Sequence, residues 1–186
     1  AASADRSRIW RNPDGDVLSF TPGFCPGVAD DLDDLAALRT WCRLMAEERE
    51  AGLIEVRVDE SELGGTVAFV YKQLRMPAYL FTGMLFVPAE EVRGTWTVVS
   101  GERGTTGVRE AVVAGRLFQS GALTVEGYRT SWAQDPYDPA YAGVHRSALR
   151  FQSDDEQYDA QFPDHPLTKV RKVLAALPKA VWLVDP

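Results

Sequence analysis

Apolar residues recur along this chain with two different periods, and the switches between them mark its elements. Between Asp33 and Glu50, Leu35, Leu38, Cys42 and Met45 step by three or four, with Trp41 and Leu44 widening the stripe, which predicts an amphipathic helix. Asp33 and Asp34 stand where a helix start favours negative charge, and Gly52 where a left-handed terminator belongs. From Ile54 the period drops to two: Ile54, Val56 and Val58 alternate with Glu55, Arg57 and Asp59, predicting a strand with one wet face. Gly64-Gly65 turns the chain, and Val67, Phe69 and Tyr71 against Ala68, Val70 and Lys72 predict the next strand. Met76-Pro77-Ala78 breaks it before Tyr79 to Val87, a run apolar on both faces. Pro88 with Glu90, Glu91 and Arg93 then makes a loop. Short connections between successive strands predict an antiparallel meander.

The stretch from Gly94 to Gly121 joins a strand (Thr95 to Ser100), a glycine-rich loop (Gly101 to Gly107) and a helix (Val108 to Ser120). Val108, Ala111, Val112, Gly115 and Phe118 keep the spacing of a face packed on a sheet. Upstream, Arg8 to Arg11 and Asp16 to Phe20 flank Asn12-Pro13-Asp14-Gly15 and read as a hairpin, with Thr21 to Gly27 a loop. Downstream, Tyr128 to Asp164 is aperiodic, rich in turn formers and dotted with Trp132, Tyr137, Tyr141, Phe151, Tyr158 and Phe162. Aromatics at such spacing predict an ordered strap on the body of the protein. Pro166 opens a last helix with Leu167, Val170, Leu174 and Leu177 inward and Lys169, Arg171 and Lys172 outward, and Val181 to Val184 reads as a short terminal strand. One domain over residues 1–186 is expected, with a core of about 8–121, a strap at 128–165 and a helix at 166–177.

Composition narrows the function classes. At 186 residues the chain is long enough to bury roughly 70% of its unfolded surface in one core. A formal charge of −7 argues against nucleic acid, which demands a phosphate-facing basic surface. Apolar runs stop well short of the roughly 20 residues that span a bilayer. Two cysteines, Cys25 and Cys42, without Cys-x-x-Cys spacing, predict reduced thiols and a cytoplasmic setting.

Candidate chemistry is sparse. Gly104, Thr105, Thr106 and Gly107 precede a helix and offer backbone N–H groups and hydroxyls to an anion. The loop lacks the Gly-Lys-Ser/Thr of a phosphate loop, Glu102 would repel a phosphate, and a simple helix cap by Thr105 or Thr106 accounts for the same residues. Asp30, Asp31, Asp33 and Asp34 lack the pattern of a calcium loop and read as helix capping. Asp154, Asp155, Glu156 and Asp159 read as a solvated acidic segment. The two histidines, His145 and His165, have no neighbouring ligands for zinc and no nucleophile signature, and His165 beside Pro166 reads as a helix-start residue. No catalytic residue, metal site or cofactor is predicted. If the strap is instead a binding arm, Trp132, Tyr137, Tyr141 and Tyr158 are its partner-binding surface.

The order of elements over Ile9 to Phe118, especially Asn12-Pro-Asp-Gly-Asp-Val-Leu-Ser-Phe20 and Gly101 to Glu110, resembles the PsbP-like family. The second of these stretches, with Asp135-Pro-Tyr-Asp-Pro139 and Phe162-Pro-Asp-His-Pro-Leu167, is similar to bacterial members of undefined role. The resemblance implies an α/β/α sandwich and a non-enzymatic protein-binding or adaptor role. It carries no functional residues over, and the strap has no counterpart in it. The rival architecture is a helix-grip fold, in which Phe69, Tyr71, Tyr79, Phe81 and Phe86 line a cavity for a small ligand or a hydrolytic reaction.

Overall fold

The alternating segments pair into a single six-stranded sheet. The computed structural model describes residues 7–27, 32–61, 64–89, 93–143 and 146–180. β1 (Arg8–Arg11) and β2 (Val17–Pro22) make the hairpin, and β3 (Ala51–Ser61), β4 (Gly64–Arg75), β5 (Ala78–Val87) and β6 (Gly94–Gly101) make the meander. Across the sheet the order is β1-β2-β6-β5-β4-β3, with every pair antiparallel. The hairpin therefore docks on the last meander strand, Phe20 lying opposite Trp96. β2 runs on through Thr21 and Pro22, past the end its sequence suggests, because β1 has already stopped opposite Phe20 and leaves the proline without a neighbour on that side.

Two helices cover opposite faces, and the alternation along β4 assigns them. Val67, Phe69 and Tyr71 join Leu38, Cys42 and Ala46 of α1 (Leu35–Glu47) in one apolar cluster. Ala68 and Val70 join Leu167, Val170, Leu174 and Leu177 of α4 (Pro166–Ala180) in another. The layers are α/β/α, the arrangement implied by the resemblance of the order of elements. The helix-grip arrangement fails on the same ground: Phe69, Tyr71 and Phe86 face α1 whereas Tyr79 and Phe81 face α4, so they cannot line one cavity. Among the described residues no helix is long and apolar enough to cross a membrane.

The aperiodic segment is packed. After α2 (Val108–Ser120) and α3 (Val125–Thr130), the short strands β7 (Ala133–Gln134) and β8 (Arg150–Phe151) pair, and Trp132, Leu149 and Phe151 close a third apolar cluster with Val113 and Leu123. Asp135 receives both arms of the Arg43 guanidinium from α1, each at 2.9 Å. The Tyr137 hydroxyl accepts from Val56 N–H at 2.7 Å and donates to Val56 O at 3.1 Å, occupying the open edge of β3.

Three local expectations give way to packing. Asp34 caps α1 by accepting from Ala37 N–H at 2.9 Å, but the chain then reverses at Glu50, with φ of 55°, and not at Gly52. Gly52 lies inside β3, where a Cβ would collide with the carbonyl of Ala148 from the strap. The period-two reading of β3 breaks at a bulge between Leu53 and Glu55, which sends Leu53 and Val56 to the α1 face and leaves Ile54 on the α4 face. Finally, α2 leans on the strap rather than on the sheet. Arg109 and Val113 point inward, whereas Val108, Val112 and Phe118, predicted to face the sheet, are exposed. Asp30, Asp31 and the terminal stretch Val181 to Val184 lie outside the described residues.

The two glycine environments predict opposite effects of one substitution. Gly52→Ala must displace strap backbone and should cost about 1–3 kcal/mol. Gly115→Ala, in the α2 interior with nothing within 4 Å of its Cβ position, should stabilise by about 0.5–1 kcal/mol. Urea unfolding of the two variants measures both.

Candidate functional site

Where strap, α2, α4 and the α4 face of the sheet converge, charged side chains are buried together. Lys72 follows Ala68 and Val70 on that face of β4 and has no solvent exposure. Its Nζ lies 2.6 Å from Asp154 Oδ2 and 3.2 Å from the centre of the Phe151 ring. Burial pulls the ammonium's pKa down and Asp154 acts against it. The same Asp154 oxygen accepts from Phe151 N–H at 2.7 Å, so the carboxylate also shapes the strap backbone.

Two arginines continue the cluster. Arg109, fully buried in the first turn of α2, donates to the carbonyls of Ser153 at 2.7 Å and Asp155 at 2.9 Å, to Thr168 Oγ1 at 3.1 Å and to Asp159 Oδ1 at 2.8 Å. Arg171 of α4 donates to the Asp154 carbonyl at 2.8 Å, to Asp159 Oδ1 at 2.9 Å and to Glu55 Oε2 at 2.7 Å. Burial opposes the Arg171 charge, but Glu55 and Asp159 outweigh it and raise its pKa. The bulge in β3 is what turns Glu55 to this face. The acidic run at 154–159 is thus not solvated as composition suggests: Asp154 is buried and Asp159 is shared by two guanidiniums. Arg171 likewise points inward rather than outward.

The glycine-rich loop borders this cluster. Gly107, with φ of 71°, is the N-cap of α2, and no side chain caps the helix; Thr105 and Thr106 do not fill the role their type suggests. Glu102 instead anchors the turn that leads into the helix, its Oε1 accepting from Gly107 N–H at 2.8 Å and its Oε2 from Tyr79 N–H at 2.9 Å. A protein carboxylate therefore occupies the helix start where the sequence offers an anion site at Gly104 to Gly107. Thr106 donates to the Pro77 carbonyl at 3.3 Å.

His165 begins α4 as its sequence position suggests, Nδ1 accepting from Leu167 N–H at 3.2 Å. Its Nε2 faces Glu102 Oε1 at 4.0 Å, and burial, then Arg109, depresses its pKa to about 4. Glu110, in the first turn of α2, completes the group: burial, then Asp154, raises its pKa to about 6. One donor atom each from Glu102, Glu110 and His165 lie within 4.8 Å of one another. Sequence spacing could not show this, because the three residues come from the loop after β6, the first turn of α2 and the turn before α4. His145 lies outside the described residues. Beside the group, Glu102 and His165 border a cavity of about 310 Å³ with Asp14, Asp16, Arg103 and Lys169.

The strap aromatics serve the interior. Trp132 is buried, Tyr137 is bonded to β3, Tyr141 lies under the Arg43 guanidinium at 5.0 Å, and Tyr158 packs on the third apolar cluster. Exposed large apolar side chains include Val108, Val112 and Phe118 on the outer side of α2, Val125 and Tyr128 on α3, and scattered residues such as Ile9, Phe24, Leu44 and Met76.

The Lys72–Asp154 pair predicts non-additive substitutions. Asp154→Ala strands the ammonium and should cost about 3–5 kcal/mol in urea unfolding, whereas Lys72→Met with Asp154→Leu should be markedly less destabilised than that single variant. Comparison with protein-family models, curated proteins and solved structures finds no match for this chain.

Proposed function

We propose that the chain is a non-enzymatic protein-binding domain of adaptor type, docking its partner on the outer side of α2. The observation that carries this reading is the helix's second apolar stripe. Its inner side is filled by Arg109, Val113 and Leu117, yet Val108, Val112 and Phe118 on the outer side are 37–45% exposed, and Tyr128 of α3 continues the stripe with its ring centre 5.8 Å from that of Phe118. Apolar surface in one row is unfavourable in water unless something covers it. The PsbP-like resemblance of Ile9 to Phe118 supports the reading by analogy of fold, as does the net acidity, which points to a protein partner rather than nucleic acid. A cytoplasmic setting belongs to the same reading, in keeping with only two cysteines and no Cys-x-x-Cys spacing.

A second reading, small-ligand binding or hydrolysis, is favoured by one observation: the cavity bordered by His165 and Glu102. It lacks a nucleophile paired with the histidine, whose Nδ1 is engaged by the α4 backbone.

A photo-crosslinking side chain at Val112 or Phe118 should capture one discrete protein in the native cell, while the same group at exposed Leu44 on α1 should not. Phe118→Asp should abolish the adduct formed at Val112 without lowering the unfolding temperature. Equal capture at Leu44, or none at any position, contradicts the proposal.

A further inference from the structure

The buried cluster contains two carboxylates beyond those its cations need. Lys72 pairs with Asp154, Arg109 with Asp159, and Arg171 with Glu55 and Asp159, so these three cations are already matched. Glu102 and Glu110 are additional. Glu102 is held by two backbone amides, but both oxygens of Glu110 are closed to solvent and meet no donor beyond the residue's own backbone N–H. Facing them is the His165 side chain, only 9% exposed, whose Nε2 also has no hydrogen-bond partner.

We infer that Glu102 and Glu110 form a site for one hard divalent cation of the Mg²⁺, Mn²⁺ or Ca²⁺ class, with His165 donating a hydrogen bond to a water on the ion. The spacing fits: donor atoms within 4.8 Å of one another match the roughly 4–5 Å between oxygens on opposite sides of such an ion. The charge fits as well, since two carboxylates without cationic partners are balanced by one divalent ion. The tautomer decides the class. Because Nδ1 accepts from Leu167 N–H, the neutral ring carries its proton on Nε2, which is then a donor and not a metal ligand. The set is thus carboxylate and water rather than the imidazole and thiolate of a zinc site. Entry is from the 310 Å³ cavity, where Asp14, Asp16 and Asp164 stand beside Arg103 and Lys169, and Lys169 is itself held by Asp14 at 3.4 Å. The inference is independent of the protein-binding reading.

The test uses the full chain, dialysed against chelator and titrated with Mn²⁺, with bound ion counted by electron paramagnetic resonance and unfolding followed by heat. One Mn²⁺ per chain should bind and raise the unfolding temperature, and excess Mg²⁺ or Ca²⁺ should displace it. Glu110→Gln should weaken binding at least about tenfold, yet be no less stable than the unsubstituted chain without metal, because it removes an unmatched buried charge. His165→Gln, which keeps a donor, should weaken binding by less than Glu110→Gln does. No uptake at millimolar Mn²⁺, Mg²⁺ or Ca²⁺, or uptake unchanged by Glu110→Gln, overturns the site.

Discussion

A lysine ammonium with no access to water must meet its counter-charge inside the protein, and much of this structure answers that demand at Lys72. Its partner, Asp154, lies 82 residues away in a segment of short 3-10 helices and two-residue strands. Satisfying the ammonium therefore means bringing the strap onto the sheet and holding it at 2.6 Å, with Phe151 laid under the charge. Once Asp154 is placed, its neighbours follow. Phe151 pairs with Ala133, Trp132 stacks on Phe151, and the third apolar cluster closes around them.

The strap's own backbone is secured by the two arginines. Carbonyls of a segment with few ladder partners need donors, and a guanidinium supplies several in a fixed fork. Arg109 and Arg171 approach from α2 and α4 and take the carbonyls of Ser153, Asp154 and Asp155 between them. The arrangement has consequences at a distance. Drawing Arg109 inward rolls α2 so that its second apolar stripe faces solvent, which creates the surface proposed for partner binding. Glu55 reaches Arg171 because the β3 bulge turns it to the α4 face; the unbroken alternation would have put it on the α1 face with Leu53.

The candidate cation site is a by-product of the same convergence. Glu102 anchors the turn that leads into α2, and Glu110 follows it into the interior because it shares the inward side of α2 with Arg109 and Val113. Both carboxylates thereby meet His165, which its capping role at α4 has already oriented. A structural network and a possible ligand site share one set of side chains, so a substitution such as Glu110→Gln can separate stability from binding.

Periodic hydrophobicity determined the strands, their meander and both face-covering helices, because each follows from a local repeat of two or about 3.6 residues that needs one buried face. The N-cap at Asp34 and the helix start at His165 were legible for the same reason, being set by residues within one turn. Only the tertiary structure decided which side of α2 is inside, where β3 changes face, why Gly52 is glycine and which charges are buried. Those outcomes depend on partners tens of residues away: Asp154 for Lys72, the strap carbonyls for Arg109, and the Ala148 backbone for Gly52. A side chain's type announces its charge, but not the distant group that makes burying that charge favourable.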